Sequence, residues 1–126
     1  MGAVLVVDDD PQMLDILCMM LQRSHHIVRA SGSTAALSIL EGATPVDLLL
    51  TDVAMPGVNG FGLARLARQR RPRLKVLYLS GYADESIVHH GVLEPGLAFL
   101  QKPFTPDSLA RKVREVLDAR APDSGP

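Results

Sequence analysis

Six side chains able to do chemistry stand where apolar runs stop. Asp8, Asp9 and Asp10 follow Ala3 to Val7, Asp52 follows Leu48-Leu49-Leu50-Thr51, Ser80 follows Val76 to Leu79, and Lys102 follows Ala98 to Gln101. Carboxylates held close together repel, and burying them is costly unless a cation or shared protons relieve them. A hard divalent ion does this best. Magnesium (Mg2+) takes oxygen ligands at about 2.0–2.1 Å and keeps several waters, which suits two or three aspartates and a phosphate oxygen. With one cysteine in the chain and no histidine pair beside these acids, zinc and copper are poorly served. If the metal engages Asp8 and Asp9, Asp52 keeps a carboxylate oxygen free to attack phosphorus and form an aspartyl phosphate. The Lys102 ammonium would offset charge on the transferring group, and Ser80 can donate to one of its oxygens. Taken alone, the aspartate triplet reads equally as an acidic turn capping a helix. Asp52 at a neighbouring strand end favours a site.

The elements that must position these groups follow from hydrophobic pattern. Ala3 to Val7 is a strand, and Pro11 suits the first turn of the helix that runs towards Arg23, with Met13, Leu14, Leu17, Cys18, Met20 and Leu21 on one face. His26 to Ala30 is a second strand. Ser31 to Ser33 supply a turn and an N-cap for a helix over Thr34 to Glu41, which Gly42 stops. Leu48 to Asp52, without polar alternation, is a third strand buried on both faces. A helix over Phe61 to Arg70 ends in a basic cluster, Arg65, Arg68, Arg70, Arg71, Arg73 and Lys75, read as a solvated face that suits the negative end of the helix dipole. Val76 to Leu79 is a fourth strand, Asp84 to about His90 a short helix, Ala98 to Gln101 a fifth strand, and Pro106 to about Arg120 the last helix. Five strands alternating with five helices predict an α/β fold, a doubly wound five-stranded parallel sheet in the order 2-1-3-4-5. Ligands in such sheets bind beyond the carboxyl ends of the strands, where the first and third meet. Asp8, Asp9 and Asp52 end those two strands.

Length and composition set the outer limits. The chain has 126 residues, 47% of them hydrophobic, enough for one domain that buries about two-thirds of its unfolded surface. Residues 1–120 are expected to form it, with 121–126 a disordered tail. Thirteen basic residues against fourteen acidic ones exclude a global field for nucleic acid or a membrane surface. No apolar run approaches transmembrane length, and the start lacks the pattern of a signal peptide. The lone Cys18, read as a buried filler, fits a reducing, cytoplasmic setting. His25, His26, His89 and His90 lie away from the acids and are read as surface residues.

VLVVDDD at the first strand, LLLTDVAMPGVNG at the third, VLYLSGYAD at the fourth and FLQKPF at the fifth together resemble the response-regulator receiver domain of two-component signalling, from about Val4 to Leu117. The fold of that family is flavodoxin-like. By position, the resemblance implies that Asp52 is the phosphoacceptor and that Asp8, Asp9, Asp52 and the backbone carbonyl of Ala54 hold Mg2+. It gives Ser80 and Lys102 the phosphate contacts, makes Ser80 and Phe99 switch residues, and makes the Lys102–Pro103 bond cis. Phenylalanine at 99 lacks the hydroxyl of the tyrosine common there. Ala54 and Tyr82 fall at positions that tune acyl-phosphate lifetime. Implied partners are a sensor histidine kinase or a histidine phosphotransfer protein. No DNA binding by this chain is expected. A homodimer through the fourth-helix, fifth-strand and fifth-helix face is possible for the family. LSGYADE and FLQKPFTPDSLARKVREVLDAR most resemble the C-terminal receivers of hybrid sensor histidine kinases.

Two other classes compete. A haloacid dehalogenase-type phosphatase would use Asp8 and Asp10 and leave Asp52 idle. A phosphorylation-independent interaction module would not need the acceptor residues. Nucleotide binding lacks both G-x-G-x-x-G and G-x-x-x-x-G-K.

Overall fold

The computed structural model describes residues 2–55, 57–80 and 98–119. Its elements are β1 (Ala3–Val7), α1 (Pro11–Leu21), β2 (His26–Ala30), α2 (Ser33–Glu41), β3 (Leu48–Asp52), α3 (Gly60–Arg70), β4 (Lys75–Ser80), β5 (Phe99–Gln101) and α4 (Pro106–Asp118). All strand pairs are parallel and the sheet order is β2-β1-β3-β4-β5, as the pattern predicts. Four helices are seen among the described residues. The helix expected from Asp84 to His90 and the tail from Ala121 both lie outside them.

Two helix layers account for the unbroken apolar strands. Every residue of β1 is buried, so neither face of that strand meets water. Alternate side chains serve opposite cores. Leu5, Val7, Leu49, Val76 and Tyr78 pack against Ala36 and Leu40 of α2 and against Phe61, Leu63, Ala64 and Ala67 of α3. Val4, Val6, Leu48, Leu50, Leu77 and Leu79 pack against Leu14, Leu17, Cys18 and Leu21 of α1 and against Leu109 and Val113 of α4. Cys18 is a buried, unpaired thiol, held above its ordinary pKa by burial.

Helix starts follow side-chain caps. Asp10 accepts from the Gln12 amide at 3.0 Å ahead of Pro11, Asn59 accepts from the Gly62 amide at 2.9 Å, and Thr105 and Ser108 form a reciprocal capping box around Pro106. α2 departs from expectation. Its N-cap is Gly32, which has no side chain to offer, and Ser33 is already the first helical residue.

Two surface expectations need correction. His25 is buried, not exposed; its Nδ1 lies 2.8 Å from Ser24 Oγ, and burial, with Arg114 and the N-terminus nearby, holds its pKa below the usual value. The basic cluster is only partly a solvated face. Arg71 donates to the carbonyls of Leu40, Gly42 and Thr44, closing the carboxyl end of α2. Lys75 donates to the Leu117 carbonyl near the end of α4, Arg68 to that of Leu74, and Arg70 pairs with Glu41.

Candidate functional site

Register brings the acids together. β1 and β3 pair Val7 with Thr51, so Asp8 and Asp52, one step further on, lie side by side at about the 4.8 Å spacing of neighbouring strands. Alternation turns both towards the α1 and α4 side, with Val6 and Leu50. Asp52 is itself paired with Leu79, and Ser80 with Gln101, which draws Ser80 and Lys102 to the same edge of the sheet. One oxygen each from Asp8, Asp9 and Asp52 lies within 4.8 Å of the others. Lys102 Nζ stands 3.5 Å from Asp52 Oδ2. Ser80 is buried, and its carbonyl accepts from the Lys102 amide at 2.7 Å, which fixes the end of β5 beside β4.

Asp8 carries the electrostatic tension. It is 1% exposed; Oδ1 accepts from the Asp10 amide at 2.9 Å, while Oδ2 is buried without a partner. Burial pushes its pKa above the ordinary aspartate value of 3.8, and the Asp52 and Asp9 charges push the same way. The Asp10 N–H and the Lys102 ammonium oppose this without cancelling it. An orphaned carboxylate oxygen beside two further carboxylates is a donor set of hard oxygens whose mutual repulsion a cation would relieve. That fits magnesium, and no soft ligand lies in the cluster.

This arrangement sets a pH dependence. The folded chain holds the Asp8 proton more tightly than the unfolded chain, so the stability contributed by this group falls as pH rises from the unfolded to the raised folded pKa. Above that window the penalty is complete. In chelator, Asp8→Asn keeps the acceptor for Asp10 and turns the orphan into a donor facing carboxylates. Urea unfolding between pH 4 and 8 should show it more stable at neutral pH by about 1–3 kcal/mol, with a flatter pH profile than the wild type.

The remaining predicted residues fall around this cluster. Ala54 is exposed, with its N–H 3.4 Å from Asp52 Oδ1. Phe99 is 42% exposed on β5. The Lys102–Pro103 peptide bond is cis. Tyr82, His89 and His90 lie outside the described residues. The sequence pattern gives Gly60 no role at the site and Ser33 only a place in the turn and N-cap before the second helix. A Cβ on Gly60 would press on the Asp52 backbone, and the Ser33 hydroxyl donates to the Val58 carbonyl at 2.8 Å. The VNG turn could have flagged the first; nothing in the spacing flags the second.

A family profile for the response regulator receiver domain matches residues 4–114. The chain belongs to the response regulator receiver domain family. This receiver domain is 33% identical over 120 residues to the hydrogenase transcriptional regulatory protein HoxA of Cupriavidus necator, covering 94% of this chain and 25% of that protein. It is 31% identical over 116 residues to the sensor kinase CckA of Brucella abortus, covering 91% of this chain and 12% of that protein. The receiver thus spans a quarter or less of those relatives. Among solved structures, a response regulator receiver protein from Sinorhizobium medicae superposes with a TM-score of 0.83 at 28% identity, over 94% of this chain and 96% of that one. Among the described residues, no helix is long and apolar enough to cross a membrane.

Proposed function

We propose that this receiver domain accepts a phosphoryl group on Asp52 from a phosphohistidine of a sensor histidine kinase or histidine phosphotransfer protein, in the cytoplasm. The observation that carries the reading is Asp52 held 3.5 Å from the Lys102 ammonium and clustered with a buried aspartate whose Oδ2 has no partner. Asp8, Asp9, Asp52 and the Ala54 carbonyl would hold Mg2+, which when bound neutralises charge on the acids and on the transferring group. An Asp52 oxygen attacks phosphorus, the O–P bond forms as the P–N bond to the donor imidazole breaks, and the imidazole nitrogen keeps the electron pair and takes up a proton. Lys102 stabilises the equatorial oxygens through transfer, and Ser80 donates to one of them afterwards. That contact, with Phe99, biases the partner-binding surface around β5 and α4, through which a homodimer could also form. Residues 1–120 act as the signalling unit. The hybrid-kinase likeness of the last third favours a receiver working within a larger kinase.

Incubation with Mg2+ and acetyl phosphate should add one phosphoryl group by intact mass, labile to hydroxylamine and absent in chelator. Persistent failure to gain mass with several small phosphodonors would count against the proposal.

A further inference from the structure

We propose that Ser33 is a positioning residue for this site, holding in place the loop that follows Asp52. The proposal rests on the reading of Asp52 and Ala54 given above. The loop between β3 and α3 leaves the sheet at Val53, whose amide still donates to Leu79 at 3.0 Å, and returns at Gly60, whose amide donates to the Val53 carbonyl at 2.9 Å. Both ends are therefore fixed. Between them Gly57 takes a left-handed φ of 73°. Ala54 lies in the first half of this loop and Val58 in the second. Met55 packs against the α2 and α3 core, and Asn59 is committed to capping α3.

Ser33 reaches this loop from a different part of the chain. Its hydroxyl donates to the Val58 carbonyl at 2.8 Å across 25 residues of sequence. A serine at a helix start ordinarily spends its oxygen on the helix's own amides. Here the cap position belongs to Gly32, which makes no side-chain bond, and Ser33 sits one residue further on with its hydroxyl directed to the loop. The hydroxyl thus trades a local cap for a bond that ties the α2 start to the loop carrying Ala54. Losing it leaves the Val58 carbonyl to water and removes this bond between the α2 start and the loop, whose remaining described ties are its two ends, Met55 and the Ala54 N–H to Asp52 Oδ1. The Val58 side chain, 40% exposed, offers little packing to compensate.

The test compares wild type, Ser33→Ala, Ser33→Thr and Ile39→Ala. Ile39 packs on the same helix about two turns from Ser33 and has no bond to the loop, so its truncation weakens α2 while keeping the tether. In metal-free protein, hydrogen exchange of the amides of residues 57–59 should quicken about threefold to tenfold in Ser33→Ala and return to the wild-type rate in Ser33→Thr. By calorimetry, the Mg2+ dissociation constant should rise about threefold to tenfold in Ser33→Ala and stay within about twofold of wild type in Ser33→Thr and Ile39→Ala. If wild type binds Mg2+ and Ser33→Ala binds it equally well, or if Ile39→Ala weakens binding as much, the positioning role is overturned and the reading of Asp52 stands. A wild-type chain that binds no Mg2+ and accepts no phosphoryl group overturns that reading and the positioning role together; faster exchange in Ser33→Ala would then mark the bond as structural only.

Discussion

Asp52→Asn is expected to abolish the added phosphoryl group while leaving the chain folded. An amide at this position keeps the size of the carboxylate but has no anionic oxygen to attack phosphorus, so the loss is one of chemistry, not of shape. The fold should tolerate it because the substitution takes a negative charge away from Asp8, whose buried carboxylate is already strained by Asp52 and Asp9. What is lost is an ion pair with Lys102 whose partners are 15% and 27% exposed, worth about 1 kcal/mol or less in that partly solvated setting. Intact mass after incubation with Mg2+ and acetyl phosphate reads the first effect, and thermal unfolding of the same sample reads the second. Asp9→Asn should behave differently, slowing phosphorylation and weakening Mg2+ binding without abolishing either, because its side chain is the exposed member of the cluster. Label kept in Asp52→Asn but lost in Asp8→Asn would move the chemistry to the first strand and sink this assignment.

Much of the fold was legible because it depends on pattern. Buried strands without alternation, helices with a three-to-four repeat and acids at the carboxyl ends of two strands together predict the sheet order and the cluster of Asp8, Asp9 and Asp52. Register then does the positioning, since Val7 beside Thr51 forces the next two residues together. What could not be read depends on partners distant in sequence. Arg71 looks like one of several surface cations, yet it spends three bonds on carbonyls 27 to 31 residues away. His25 looks exposed beside His26, but the turn after α1 folds its ring inward. Ser33 looks like a helix cap and is a tether instead. In each case the residue type was visible and the carbonyl or pocket it meets was not, because hydrogen bonds over such separations leave no periodic trace.

The same distinction governs Gly60. In the sequence it closes the LLLTDVAMPGVNG segment just before the helix expected from Phe61. In the fold it is the point where α3 touches the end of β3. A Cβ built there falls inside the contact distance of the Asp52 carbonyl oxygen and lies 3.0 Å from Val53 Cα and 3.1 Å from the Asp52 carbonyl carbon. All three atoms are backbone, so no side chain can swing aside to make room. Gly60→Ala must then push the start of α3 away from the sheet or bend the strand end that carries Asp52. Overpacking of this kind costs about 1–3 kcal/mol, and the bond from the Gly60 amide to Val53 stretches with it. Gly42→Ala is the matched control: its φ is −87° and the nearest atom to a new Cβ is 3.5 Å away, so its stability should stay within about 1 kcal/mol of wild type. The functional effect should exceed the stability effect. A shift of about 1 Å in a reacting group can cost about a hundredfold in rate. Gly60→Ala that still folds should therefore accept phosphate from acetyl phosphate at least tenfold more slowly than Gly42→Ala at equal Mg2+. Equal rates in the two variants would mean that the helix yields and the strand end does not, and that Gly60 serves packing alone.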